Sequence, residues 1–367
     1  MNITSGGTYV GQIFQSNLWS EPAVTVSTQN PVTFYKCVFV SQGTCIEAPW
    51  AANLTIQNCY GICRDPMVPG QRRGSFLHAI RPSSVSVEQC EISGAYWAIF
   101  VDFQSNFCSN NPILIWANRI LDIEGRPSDG NGGVQSTMVN GVDDNGYAHA
   151  VVLMNGWWNP LIRIWWNEIR NREGLSAPSD LINLYGVSGT PGSPVSIQNN
   201  YLEGVWPADR SATTCDGSGI VTDFNTPLQS QGCQYILIDS NQCVHCADGV
   251  ALWAGSNLKA TGNRIVNSGL ALDGTPYSYT WAGGLSLFNT QSFSSTNEAD
   301  SNSAACVIPS VMSRADFQID SSLSAKSTNQ LALYPGQTIT RLNEAQEYAL
   351  WIEKVRTGGV QIGPHSW

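Results

Sequence analysis

The chain has 367 residues, of which 13% are charged, against about 25% in ordinary globular domains. Its net charge of −10 argues against a surface for nucleic-acid backbone, which needs clustered Lys and Arg. No stretch approaches the roughly 18 consecutive apolar residues of a membrane span.

Residues 1–30, with Gly6-Gly-Thr-Tyr9 and Pro22-Ala-Val-Thr-Val-Ser27, predict an N-terminal cap and a first coil. Beyond them a motif recurs in which an alternating apolar run is followed by Asn or Cys, then a polar and another apolar residue. Its clearest copy is Ile197-Gln-Asn-Asn200-Tyr-Leu202. Aligned on the Asn, the frame returns at Asn118, Asn167, Asn241 and Asn263, and upstream Cys fills the slot at Cys37, Cys59 and Cys90. Neighbouring positions are 22 to 49 residues apart, the spacing of a solenoid with a constant core and variable loops. Each copy is an alternating strand, so the unit is a β-coil and not a helix pair. An inward Asn can donate its amide to the next coil's carbonyl and tolerates left-handed backbone at a corner. Cys is a small residue that tolerates burial in the same slot.

Each coil also carries a second alternating strand, as in Ala150-Val-Val-Leu-Met154 and Asp180-Leu-Ile-Asn-Leu-Tyr185. Ile46, Leu77, Val101, Leu153, Leu184, Thr222, Leu252 and Leu287 are expected to point inward. The residues after them then share the outer face: Glu47, His78, Asp102, Met154, Tyr185, Asp223, Trp253 and Phe288. Long loops at 122–147, 171–179, 204–218, 226–233, 270–283 and 290–311 are expected to wall a groove over this ladder. The coils are expected over residues 31–311, with a C-terminal cap over 312–367. Within that cap, helical spacing of apolar residues at 342, 345, 348, 349, 352 and 355 predicts a helix over 340–357. Gly358-Gly359 ends it, and it folds back on the C-terminal end or the flank.

The repeat resembles the right-handed parallel β-helix of pectate lyases, polygalacturonases and phage tailspikes over roughly residues 5–300. The expected fold is therefore all-β, a right-handed parallel β-helix solenoid with a C-terminal capping α-helix. Ser128-Asp-Gly-Asn-Gly-Gly133, Asp180-Leu-Ile-Asn-Leu-Tyr185 and Trp206-Pro-Ala-Asp209 are similar to a group of uncharacterised bacterial β-helix proteins, which implies no particular activity. Signatures of the polygalacturonase type (Gly-His-Gly, Asn-Thr-Asp) are absent. No leader pattern follows Met1, so a secreted or cell-surface location is expected from composition and resemblance alone.

Chemistry is expected on the outer ladder. Glu47, His78 and Asp102 form a first candidate patch, in which two acids flank an imidazole. Asp180 and Asp223 form a second, with Tyr185 and Trp253 as sugar-stacking faces and the loop acids Asp129 and Asp209 in reach. By strict alternation Asp180 shares the inward parity of Leu184, but as the first residue of its strand it can turn toward the loops. Paired carboxylates serve general acid and base in glycoside hydrolysis, and exposed rings such as Trp165 offer recognition surfaces for sugars or protein partners. Arg72 and Arg73, with Arg64 and Arg81, are candidates for neutralising an anionic glycan. A lyase would add a base such as His78, Tyr185 or Lys259.

The expected function is thus a secreted carbohydrate-active enzyme acting on a polysaccharide, a glycoside hydrolase first and a lyase second. The rival is a non-catalytic, self-associating surface β-helix. No cofactor is expected. Asp143-Asp144 are candidate calcium ligands without a full loop motif, and Cys243-Val-His-Cys246 is an incomplete zinc pattern. Of the eleven Cys, Cys215 and Cys233 flank one loop and form a candidate disulfide.

Overall fold

A computed structural model describes residues 1–107, 112–136, 138–139, 142–143, 146–215, 217–224, 229–288 and 294–365. Strands follow one another in a fixed order of three, and each pairs with the strand one coil before it and one coil after it. Among the described residues the first sheet has 11 strands, including Ile46–Ala48, Leu77–Ile80, Trp97–Phe107, His149–Trp157, Asp180–Val187, Ser218–Asp223, Asp248–Leu252 and Gly283–Leu287. A second sheet of 11 and a third of 12 strands complete each turn, and pairing along all three is parallel apart from one terminal hairpin. This is a parallel β-helix. Its coils continue past the expected limit near 311: Glu298–Asp300, Ser303–Ile308, Phe317–Ile319, Ser327–Thr328 and Leu331–Ala332 all join the three sheets. Small residues fill both faces there, Ala304 in the main core and Ala305 under Ile339, which weakens the apolar alternation a sequence reader relies on.

The Asn column is the corner between the second and third sheets. Each Asn Nδ2 donates to the Oδ1 of the next, at 2.9 Å for Asn118–Asn167, 2.9 Å for Asn167–Asn200, 2.8 Å for Asn200–Asn241 and 3.0 Å for Asn241–Asn263. The same Oδ1 atoms accept the backbone N–H of the preceding Asn, and each Nδ2 also donates to a carbonyl one coil back. The column extends one step further than the motif, to Asn302. In the upstream coils the thiols take over the donor role. Cys37 donates to Tyr9 O, Cys59 to Phe34 O and Cys90 to Ile56 O.

The left-handed residue is not the ladder Asn, as expected, but the residue before it. Lys36, Asn58, Gln89, Ala117, Trp166, Asn199, Ser240, Gly262, Ser301 and Asn329 all have φ between 50° and 62°. The bend therefore precedes the inward side chain, and the amide network repays the cost of holding non-Gly residues there.

Two other expectations change. Cys215 and Cys233 form no disulfide. Cys233 sits in the main core with its Sγ 3.2 Å from Leu184 O, whereas Cys215 packs beside the cluster around Trp206. The strand Ser218–Asp223 lies between them, and six extended residues span about 20 Å. The helix, Arg341–Gly358, ends at left-handed Gly359 as expected, yet it lies along the flank with a different face inward. Glu344, Glu347, Trp351 and Val355 are buried, while Leu342 and Ile352 are exposed. The flank it covers mixes an apolar patch, where Trp351 and Val355 meet Tyr201 and Val244, with polar groups. Glu347 pairs with Arg264 and accepts from Gln242, Trp351 Nε1 donates to Asn199 O, and Glu344 meets His245.

Glu347→Ala would leave Arg264 without its buried carboxylate. We expect a loss of about 3 kcal/mol, seen as a lower urea midpoint and as earlier proteolytic cleavage near the helix.

Candidate active site

The long connections at 122–147, 171–179, 206–217 and 268–282 lead from the third sheet into the first. Those at 158–161, 188–194, 229–233 and 253–255 leave the first sheet for the second. Each group therefore gathers along one edge of the first sheet. The loops also bond to one another: Gly125 N donates to Ala177 O at 3.1 Å, Ser278 N to Arg210 O at 3.3 Å and Thr280 N to Thr213 O at 3.1 Å. The outer face of the first sheet is consequently the floor of a groove that runs along the solenoid axis.

Register decides which side chains meet on that floor. One column runs Asp102, Met154, Tyr185, Asp223. Trp253 follows it just past its strand end, since Thr222 pairs with Leu252. A parallel column runs Glu47, His78, Phe100, Val152, Asn183, Val221. The first candidate patch is corrected here: Phe100, not Asp102, stands beside His78. The eight inward residues are buried as expected, but Leu77 pairs with Ile99 rather than Val101, which shifts Asp102 two residues along. His78 Nδ1 lies 2.8 Å from Glu47 Oε1, and its ring stacks on Phe100 at 4.8 Å, which in turn stacks on Trp97 at 4.4 Å. Asp102 instead accepts from Asn155 Nδ2 at 3.1 Å.

A third column, at the strand starts, runs Trp97, His149, Asp180, Ser218, Asp248. Here strict alternation fails, because both residues after the start face the core: Ala150 and Val151, Leu181 and Ile182 are all fully buried. The core is narrow at this corner; a Cβ on Gly249 would stand 2.4 Å from the Ile265 side chain. Two successive inward residues return Asp180 to the outer face. It joins Asn183, whose Nδ2 donates to Asp180 Oδ2 at 3.0 Å.

Asp180 is buried beneath the loops, 6% exposed. Its Oδ1 accepts Ser218 N–H at 2.9 Å, and its own N–H donates to His149 Nδ1 at 3.1 Å. That bond assigns the lone pair of neutral His149 to Nδ1, and the same atom lies 3.5 Å from Asp180 Oδ2. An acceptor facing a carboxylate oxygen favours the protonated acid. Burial pushes Asp180 up to about 7, with the Asp223 charge adding to the shift against the bonds from Asn183 and Ser218. Burial likewise pushes His149 down to about 4. Asp223 is half-buried, and burial raises it above the ordinary carboxylate range despite a backbone bond from Phe224. Asp223 is one strand over from Asp180 and five residues beyond Ser218, the residue that faces Asp180, and its charge still reaches the Asp180 carboxyl. The floor thus holds a carboxyl that keeps its proton up to about pH 7 and a second raised carboxylate, with Tyr185, packed against Phe224 at 5.1 Å, in register beside Asp223.

Other candidates lie elsewhere. Trp165 is on the second sheet, under the Arg163 guanidinium at 5.2 Å and bonded to Ser196. Arg73 is held by Asp65 at 2.7 and 2.8 Å, and Arg72 donates to Gly125 O at 2.7 Å, so both brace loops. Asp129 caps its own turn through Asn131 N and Gly133 N, and Asp209 does so through Ser211 N. Asp144 and the side chain of Asp143 lie outside the described residues. Cys243 and Cys246 are core residues while His245 faces Glu344. Among the described residues no group of three or more His, Cys, Asp or Glu is placed to hold a metal, and no helix is long and apolar enough to cross a membrane.

Sequence reading missed His149, Asn183, Ser218 and Asp248. A signal existed: each of His149-Ala150, Asp180-Leu181, Ser218-Gly219 and Asp248-Gly249 is a polar residue followed by a small or apolar pair at the same point of successive coils. Comparison with protein-family models, with curated proteins and with solved structures finds no match.

Proposed function

We propose that the groove cleaves a polysaccharide as a glycoside hydrolase, with Asp180 as general acid and Asp223 as general base or nucleophile. The observation that carries this is the unequal pair itself: a buried carboxyl that keeps its proton up to about pH 7 and a more exposed carboxylate on the next strand of the same floor. Glycosidic cleavage needs that division, since one group must give a proton to the leaving oxygen while the other supplies negative charge. The partly exposed rings along the floor, Trp97 toward one end and Trp253 toward the other, support a sugar ligand, because they offer apolar faces beside polar groups. A lyase draws less support, as Arg72 and Arg73 are committed to loop contacts. The sparse charge of the chain fits a secreted or cell-surface location within the same proposal.

The test is incubation of the purified protein with a panel of neutral and anionic polysaccharides. New reducing ends without unsaturated uronates are the expected result. Unsaturated products would move the assignment to a lyase, and an inert protein across the panel would remove the hydrolase.

A further inference from the structure

A pocket of about 390 Å³ opens at the end of the groove away from Glu47, and the acid pair does not use it. Its volume is in the lower part of the range for small-molecule sites. Trp253, Trp281 and Phe288 form its apolar walls, with Thr213 and Thr280 beside them and Asp248 at its inner side. The rings do not stack as one flat platform. Trp253 and Phe288 have centroids 6.1 Å apart at 68°, and Trp281 and Phe288 are 6.0 Å apart at 38°. Mutually inclined rings enclose a compact, rounded group better than the flat side of a neutral sugar. Asp248 is 4% exposed; its Oδ2 accepts Trp281 Nε1 at 3.1 Å and its Oδ1 accepts Ser286 Oγ at 3.4 Å. One of the walls is thereby locked to the carboxylate. No Lys, Arg or His lines the pocket among the described residues.

Ring faces carry negative charge density, and the Asp248 carboxyl oxygens among them add to it, so the combination attracts a cation of low hydration. We propose that this pocket binds an alkylammonium group, whether the protonated amine of a de-N-acetylated amino sugar or a quaternary ammonium compound. The inference is independent of the hydrolytic assignment, because it concerns the pocket's preference for charge and not bond cleavage.

Calorimetry on the full chain tests it with two matched pairs. Choline is compared with its neutral carbon isostere, 3,3-dimethyl-1-butanol, and glucosamine oligomers with N-acetylglucosamine oligomers. The charged member of at least one pair is expected to bind about tenfold or more tightly than its neutral partner. Which pair shows the difference identifies the source of the ammonium. Asp248→Asn and Trp253→Ala should each weaken that binding by about tenfold. Trp253 stands at the mouth, 36% exposed, so its variant decides the matter if the Asp248 variant fails to fold. Equal binding of charged and neutral partners, or no binding by either pair, overturns the proposal. Reducing-end release is measured separately, so a protein that binds the ammonium and cleaves nothing sinks the hydrolase and leaves this inference standing.

Discussion

Asp180→Asn is expected to lower kcat on the cleaved polysaccharide by about 10²–10⁴-fold, the usual contribution of a positioned general acid, while the protein stays folded. The substitution keeps an oxygen to accept Ser218 N–H, and its new amide can donate to His149 Nδ1, the acceptor that now lies 3.5 Å from the carboxyl. Asn183 can turn its own amide to suit. What is lost is the proton for the leaving oxygen. The pH profile carries the signature. In the parent protein activity falls as pH rises through about 7, where Asp180 loses its proton. It falls on the acid side as Asp223 becomes protonated, above the ordinary carboxylate range. The basic limb should vanish in Asp180→Asn and the acid limb in Asp223→Asn. A variant with full activity and an unchanged profile would remove Asp180 from the chemistry.

Asp180 and its neighbour His149 together make a stability prediction with an unusual sign. His149 is depressed from 6.5 to about 4, so its contribution is present above 6.5 and is lost as pH falls toward 4. Asp180 is raised from 3.8 to about 7, so its contribution is present below 3.8 and is lost as pH rises toward 7. Between about 4 and 6.5 the unfolded chain holds the proton on His149 and the native protein holds it on Asp180. Folding then exchanges no net proton at this pair, and its two slopes cancel. His149→Gln should uncover the Asp180 slope. Relative to the parent, its urea midpoint is expected to drop between pH 4.5 and 6, which unfolding curves at the two values would show.

The second large effect is expected far from the groove. Asn200→Ala removes the acceptor for both Asn167 N–H and Asn167 Nδ2, and the donor to Ile164 O. All lie in the buried corner, where each orphaned group costs about 1–3 kcal/mol, so a loss of about 3–5 kcal/mol is expected in urea unfolding. Asn199→Ala is a useful contrast. It loses only the left-handed preference of Asn at φ 58° and should cost about 1–2 kcal/mol. Equal effects would mean that the amide column adds nothing beyond local conformation.

These two sites show how far the chain can be read without its fold. The Asn and Cys column, the inward apolar set and the parallel coil were all legible, because a period-two strand repeated at one corner leaves its pattern in sequence whatever the loops do. Ser303-Ala-Ala-Cys306 belongs to the same column of strands, but small side chains hide it. The face of the helix was illegible for a related reason: it is chosen by a flank that receives Glu344 and Glu347 as well as Trp351 and Val355, not by the helix's own apolar spacing.

The groove lies between these extremes. Asp180, Asp223, Tyr185 and Trp253 were identifiable as outward or strand-initial residues near long loops. Their partners were not, because two facts exist only in three dimensions. One is the two-residue shift that places Phe100 beside His78 and sends Asp102 to the column of Asp223. The other is the narrow corner at which two consecutive residues face inward, so that His149 and Asp180 emerge together under the loops. Sequence alone determined that this chain coils and which residues line its core, since burial of alternating apolar side chains is a local and repeated demand. Tertiary structure alone decided which outer residues meet, because register and corner width are set by neighbouring coils that lie dozens of residues away.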